Sequence, residues 1–203
     1  RVDAEWSARF AAASALSTGF VRANPGALHK MPTEGSASKA WPSHRTWELA
    51  TRANASATLL GASDDTRMTL IGAFVGDAVA AEFAAWAARQ DLPDAGALLD
   101  GKETFKHDPS RADRTYVVAA SLAATALSER GDAAKFKARI EKMWDIFDTL
   151  SAQGVDLIYG PTRSVLLAAK NSHPFAQSVT GSPAWMKVLV KITPALTAAG
   201  LTA

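Results

Sequence analysis

This sequence predicts an all-α fold, on three observations. Apolar residues recur at i, i+3, i+4 and i+7 in stretch after stretch, from Trp6 to Ile192. Period-two alternation, the mark of a half-buried strand, is missing throughout. Asp or Ser stands ahead of most of the periodic stretches, and Gly or Pro closes them, which is how helices start and stop.

In chain order, Asp3 is placed to cap a first helix carrying Trp6, Phe10, Ala13 and Phe20 along one side, with Ser17 a polar interruption. Asn24-Pro25-Gly26 ends it. A small-residue loop from Thr33 to Lys39 leads to Pro42-Ser43, a strong helix start, and a helix to about Ala57 with Trp47, Ala50 and Ala57 along one side. Ser63 caps the next helix, Asp64 and Asp65 fill its first turn, and Gly76-Asp77 reads as a bend before Val79, Phe83 and Trp86. Asp64 and Asp65 read as helix-start acids rather than metal ligands. A short turn of helix over Ala95 to Leu99 precedes the most polar loop, Asp100 to Arg114. Tyr116 to Leu127 is a helix rich in small residues, suited to close packing.

The clearest helix runs from Asp132 to Gln153, with Phe136, Ile140, Met143, Trp144, Phe147 and Leu150 on one arc. Lys135, Arg139 and Lys142 line one flank, Glu141, Asp145 and Asp148 the other. Such flanks are expected to be solvent-exposed borders, or else a ridge on which a partner docks. Val155 to Lys170 is a further helix weakened by Gly160-Pro161, and Ser182 to Gly200 is one that Pro194 kinks or ends.

Composition narrows the function. The 203 residues suffice for one substantial core or two small ones, and 48% of them are hydrophobic. Twenty-two Lys and Arg against 20 Asp and Glu leave a charge of +2, which is no nucleic-acid signature. The absence of cysteine excludes disulfides, thiolate metal sites and cysteine nucleophiles, and fits a reducing, cytoplasmic setting. No apolar run is long enough to span a bilayer. Asn54-Ala55-Ser56 matches a glycosylation acceptor by chance composition. With Arg1 first and no signal stretch, the chain reads as a piece of a longer one or as a chain whose start was removed. Neither G-x-x-x-x-G-K-[ST] nor G-x-G-x-x-G occurs, and G-x-S-x-G and H-E-x-x-H are also missing, so nothing assembles a complete active site.

The candidate binding residues are Arg45 and Ser43, within Ala40-Trp41-Pro42-Ser43-His44-Arg45-Thr46-Trp47. A cation in the first turn of a helix faces the positive end of the helix dipole, so its presence asks for a reason. One reason is pairing with Glu48, which also reaches Arg52. The other is an anion held jointly by the helix start and the guanidinium. His29 and His44 are near this site in sequence, but two histidines without a carboxylate make a poor metal site. His107, with Asp108 and Asp113, raises a metal or acid–base site, against the plainer reading of a solvated loop.

Pro42, Ser43 and Arg45 opening a helix resemble the sensor 2 motif of AAA+ ATPases, most closely in the MoxR-like group. His44 departs from it, standing where that group usually has proline. Phe20-Val21-Arg22-Ala23-Asn24-Pro25 and the stretch from Val75-Gly76-Asp77 to Trp86 also resemble the C-terminal part of actinobacterial MoxR-like proteins, over about Trp6 to Arg114. The resemblance implies a helical lid over residues 1–90 and a helical C-terminal extension over 91–203. It implies ATP as the ligand of Arg45 and Ser43, with Mg2+ held by an N-terminal nucleotide-binding domain missing from this sequence. It also implies a ring-forming homo-oligomer of chaperone-like character, with neither nucleic acid nor membrane as partner. The competing expectation is a non-enzymatic helical module for protein interaction, using the Asp132 to Gln153 helix.

Overall fold

A computed structural model describes residues 4–32, 39–171 and 173–198, and among these residues every regular element is helical. Asp3 and the loop residues Thr33 to Ser38 lie outside them. The chain divides into two compact units, Ala12–Asp91 and the combination of Arg1–Ala11 with Leu92–Ala203. No helix among the described residues is long and apolar enough to cross a membrane.

The first unit is built from the later part of α1 (Ala4–Ala23), a 3-10 turn at Pro25–Ala27, α2 (His44–Leu59), α3 (Asp64–Val75) and α4 (Asp77–Ala88). Phe20 is its hub, with ring centroids 5.7 Å from Trp47, 5.4 Å from Phe83 and 5.8 Å from Trp86. Tilted and edge-on aromatic pairs of this kind stabilise beyond the area they bury. Ser17, the polar interruption of α1, meets Thr51 of α2 at 3.0 Å, so its hydroxyl is satisfied inside the packing. Asn54 is buried as well and accepts from Arg67 Nε at 3.0 Å, which removes it from the surface that a glycosylation acceptor needs. Ser63 caps α3 by accepting from the Thr66 N–H, and Asp64 pairs with Arg67 at 2.8 Å.

The second unit holds α5 (Ala95–Leu99), α6 (Ala112–Ser128), α7 (Ala133–Ser151), α8 (Asp156–Asn171), α9 (Gln177–Thr180) and α10 (Pro183–Ala198). Its centre is α7, whose expected apolar arc is buried in full: Phe136, Ile140, Met143, Trp144, Phe147 and Leu150. Asp132 caps this helix through the Ala134 and Lys135 N–H groups. Trp144 packs on Trp185 of α10 at 4.8 Å, and its indole N–H donates to the Val179 carbonyl at 2.9 Å. Small residues of α6, among them Ala119, Ala120 and Ala123, are buried, and α6 packs against α8. Gly160 of α8 is part of the same close approach, since a Cβ there would lie 3.0 Å from the Tyr116 hydroxyl.

Several expectations about extent need correction. The polar loop is shorter than Asp100 to Arg114, because α6 begins at Ala112. Pro161 and Pro194 lie inside α8 and α10, and both helices continue past them. The flanks of α7 are not simply solvated borders. Arg139 is only 13% exposed and donates from Nε to Asp100 at 2.8 Å, while Lys135 pairs with Glu129 at 3.0 Å. On the other flank, Asp148 receives Lys191 of α10 at 2.6 Å. These contacts hold the Asp100 and Glu129 carboxyls below their ordinary pKa, chiefly through the hydrogen bonds from Arg139 and Lys135 respectively.

Charge reversal along one flank therefore separates packed from solvated positions. Arg139→Glu sets a negative charge beside Asp100 and Glu129, and it should lower the melting temperature clearly, by roughly 2–4 °C for each kcal/mol lost in a chain of this size. Lys142→Glu, at an exposed position of the same flank, should stay within about 0.5 kcal/mol of the parent. Equal melting curves for the two variants would show that the Arg139 contacts contribute nothing.

Candidate functional site

The candidate site starts from the capping of α2. Ser43 has extended backbone, its Oγ accepts from the Thr46 N–H at 3.2 Å, and its own N–H donates to the Thr46 hydroxyl at 2.8 Å. Thr46 Oγ1 in turn donates to the Trp41 carbonyl at 2.9 Å, so the approach to the helix is tied as firmly as its first turn. The box uses Thr at its third position where Glu or Gln is more usual. One turn in, Trp47 is buried and its indole N–H donates to the Ala27 carbonyl at 2.7 Å.

These contacts set the direction of Arg45. Two residues before Trp47, it sits roughly 200° around the helix from it, and it is exposed to solvent. Glu48 is engaged elsewhere, accepting from Arg52 Nη2 at 2.7 Å and from Arg52 Nε at 3.1 Å. Of the two reasons offered for Arg45, pairing with Glu48 is thus not the arrangement found. Ser43 lies two residues before Arg45, with its hydroxyl engaged in the cap.

Beside this helix start is a cleft of about 280 Å3 lined by Lys30, Met31, Trp41, Pro42, Gly76 and Asp77, among others. Two of its lining segments are joined where the Lys30 N–H donates to the Pro42 carbonyl at 3.2 Å. Pro42 links the cleft to the start of α2, whereas Arg45 does not line it. His29 meets the Trp41 ring edge-on at 5.3 Å, and His44 is exposed. The far wall turns on Gly76, the single residue between α3 and α4, at φ 86° and ψ 145°. That conformation is open essentially to glycine alone.

A second cleft, of about 240 Å3, lies within the other unit between the loop at Glu103–His107 and α7. His107 Nδ1 is 2.9 Å from the hydroxyl of buried Thr115, which fixes the ring in place. Asp108 and Asp113, its expected partners, are engaged elsewhere. Asp108 accepts from the Ser110 hydroxyl and N–H, which hold its carboxyl below the ordinary range, and Asp113 takes Arg111 at 3.2 Å. The carboxylates lining the cleft with His107 are instead Glu103 and Asp145. Spacing could not reveal this, since Asp145 arrives from a different helix. Among the described residues, no group of three or more His, Cys, Asp or Glu side chains is arranged to hold a metal ion.

Compared with protein-family models, with curated proteins and with solved structures, the chain matches none.

The wall at Gly76 gives a direct test of the geometry. Gly76→Ala forces a Cβ into a left-handed backbone and should cost about 1–3 kcal/mol. Gly26→Ala, where an added Cβ would meet nothing within 4 Å, serves as the comparison and should be close to neutral. Urea denaturation of the two variants measures the difference, and similar midpoints would mean that the turn relaxes without strain.

Proposed function

We propose that the Ala12–Asp91 unit is the helical lid of a MoxR-like AAA+ ATPase, with Arg45 as its phosphate-sensing arginine. The observation that supports this most is the state of Arg45: an exposed cation in the first turn of a firmly capped helix, with the nearby acid Glu48 bound to Arg52. A guanidinium offers planar donors matched to phosphate oxygens, so the residue fits the terminal phosphate of ATP as a ligand. Ser43 serves by defining where the helix begins, and hence where Arg45 stands. ATP and its Mg2+ are held, on this reading, by a nucleotide-binding domain outside this sequence, and the bound nucleotide supplies the phosphoanhydride that is hydrolysed. Arg45 would stabilise negative charge on the phosphates and couple lid position to nucleotide state. The later unit would be a helical extension of a cytoplasmic, ring-forming, chaperone-like machine.

A second reading treats the chain as a helical module that docks a protein without catalysis. It draws on Met186 and Val190, 54% and 71% exposed one turn apart on α10. The α7 flanks serve it less well, because Lys135, Arg139 and Asp148 are paired within the unit.

Two measurements separate these. The 203-residue chain alone should bind ATP weakly at best and should not hydrolyse it; sustained metal-dependent turnover would refute the lid assignment. In a protein that joins the chain to its nucleotide-binding domain, Arg45→Ala should reduce ATP turnover several-fold or more, while the isolated chain keeps its melting temperature. Arg52→Ala loses one exposed i, i+4 pair, worth about 0.3–0.5 kcal/mol, and should leave turnover intact. Normal turnover in Arg45→Ala together with a lowered melting temperature would make the residue structural.

A further inference from the structure

His173 lies in the turn between α8 and α9 and is 5% exposed. Both of its ring nitrogens are used. Nδ1 accepts the Phe175 N–H at 3.1 Å, so this nitrogen carries no proton. Nε2 lies 3.0 Å from the Glu129 carbonyl, and since a carbonyl only accepts, Nε2 carries the hydrogen and donates it. The ring stacks on Phe136 of α7, with centroids 4.1 Å apart and planes inclined by 22°. Its own backbone N–H donates to the Ala168 carbonyl at 3.2 Å, and its carbonyl accepts the Ala176 N–H at 3.3 Å. The neutral side chain thus joins the end of α6, the first turns of α7 and the approach to α9, while its backbone ties it to α8.

We propose that His173 is a pH-sensitive latch, closed while the imidazole is neutral and opened when a proton binds at Nδ1. A proton there sets N–H against the Phe175 N–H, two donors facing each other, and the His173–Ala176 turn must open to relieve them. Opening reaches further, because the segment leads into α9, whose Val179 carbonyl accepts the indole N–H of buried Trp144.

The charges around the ring do not favour protonation. Arg130, from the turn beyond α6, opposes a second positive charge. The Glu129 carboxylate is held by Lys135 at 3.0 Å and presents its backbone carbonyl, not its charge, to the ring. Lys170, near the end of α8, is exposed. Burial is the largest cause that pulls the imidazole pKa below its ordinary value, about 6.5. The latch therefore contributes stability in full above that value. The contribution is lost as pH falls from the unfolded pKa to the lower folded one, where only the unfolded chain takes up the proton. Asp100 and Glu129, with lowered carboxyl pKa, act at more acid pH and fall outside this window.

The test uses the full 203-residue chain. Long-range 1H–15N spectra at about pH 7.5 should show His173 as the Nε2–H tautomer. Between about pH 7.5 and 5.5, the amide protection factors at Phe175 and Val179, corrected for the pH dependence of intrinsic exchange, should fall by about tenfold, ahead of those of the α7 amides at Ile140 and Met143. The melting temperature should fall over the same range. His173→Gln, which keeps a donor towards Glu129 but cannot titrate, should flatten this dependence. An Nδ1–H tautomer at neutral pH would overturn the proposal. So would a protection factor at Phe175 that is unchanged down to pH 5.5 in the parent chain, a result that stands even if the variant fails to fold.

Discussion

Burial of Trp47 is the constraint on which the first unit turns. Its ring lies in the aromatic cluster with Phe20 and Phe83, and its indole N–H reaches the Ala27 carbonyl. A buried indole without that acceptor would leave a polar group stranded, so the contact selects one rotation of α2 about its axis. Once Trp47 faces inward, the helical repeat turns Arg45 outward, with Glu48 and Arg52 on the same exposed side. The direction of the candidate ligand-binding cation is thus a consequence of core packing, not of any contact that Arg45 makes itself.

The two units solve their charge problem differently. In the later one, beside local pairs such as Arg111 with Asp113, cations reach across long stretches of chain to acids: Arg139 to Asp100, and Lys191 to Asp148. In the earlier one, Arg52 pairs locally with Glu48 and Arg67 with Asp64. Local pairs contribute a few tenths of a kcal/mol to their own helix. Non-local ones join elements, which is why a residue such as Arg139 is drawn in to 13% exposure.

What is legible in the amino-acid sequence follows the same division between local and non-local. The caps at Ser43, Ser63 and Asp132 act on the backbone within three residues, so the residue types alone mark them. The α7 arc is legible because a 3.6-residue apolar period sustained over about four turns fits a helix with one buried face and little else. The α6 start is not, since its first turn carries Asp113, paired with Arg111, and Arg114, and gives no apolar signal. Four-residue α9 is too short to show a period. Pro161 reads as weakening its helix and Pro194 as kinking or ending its own, and both α8 and α10 continue past them. The surroundings of His107 and His173 are invisible in the sequence for a plainer reason: Thr115 and Asp145, like Glu129 and Phe136, come to them from other elements.

The same logic bears on why Arg45 stands where it does. A first-turn cation loses slightly to the helix dipole, and here neither Glu48 nor the cap offsets that loss. The cost is at most some tenths of a kcal/mol for a solvated side chain, so stability alone neither requires nor forbids arginine at this position. Folding accounts for Ser43, which satisfies the open N–H groups, and for Trp47, which fills the core. It does not account for the guanidinium between them. On the proposed reading, that guanidinium is there for a phosphate, a partner that both the capped helix start and the planar donors suit.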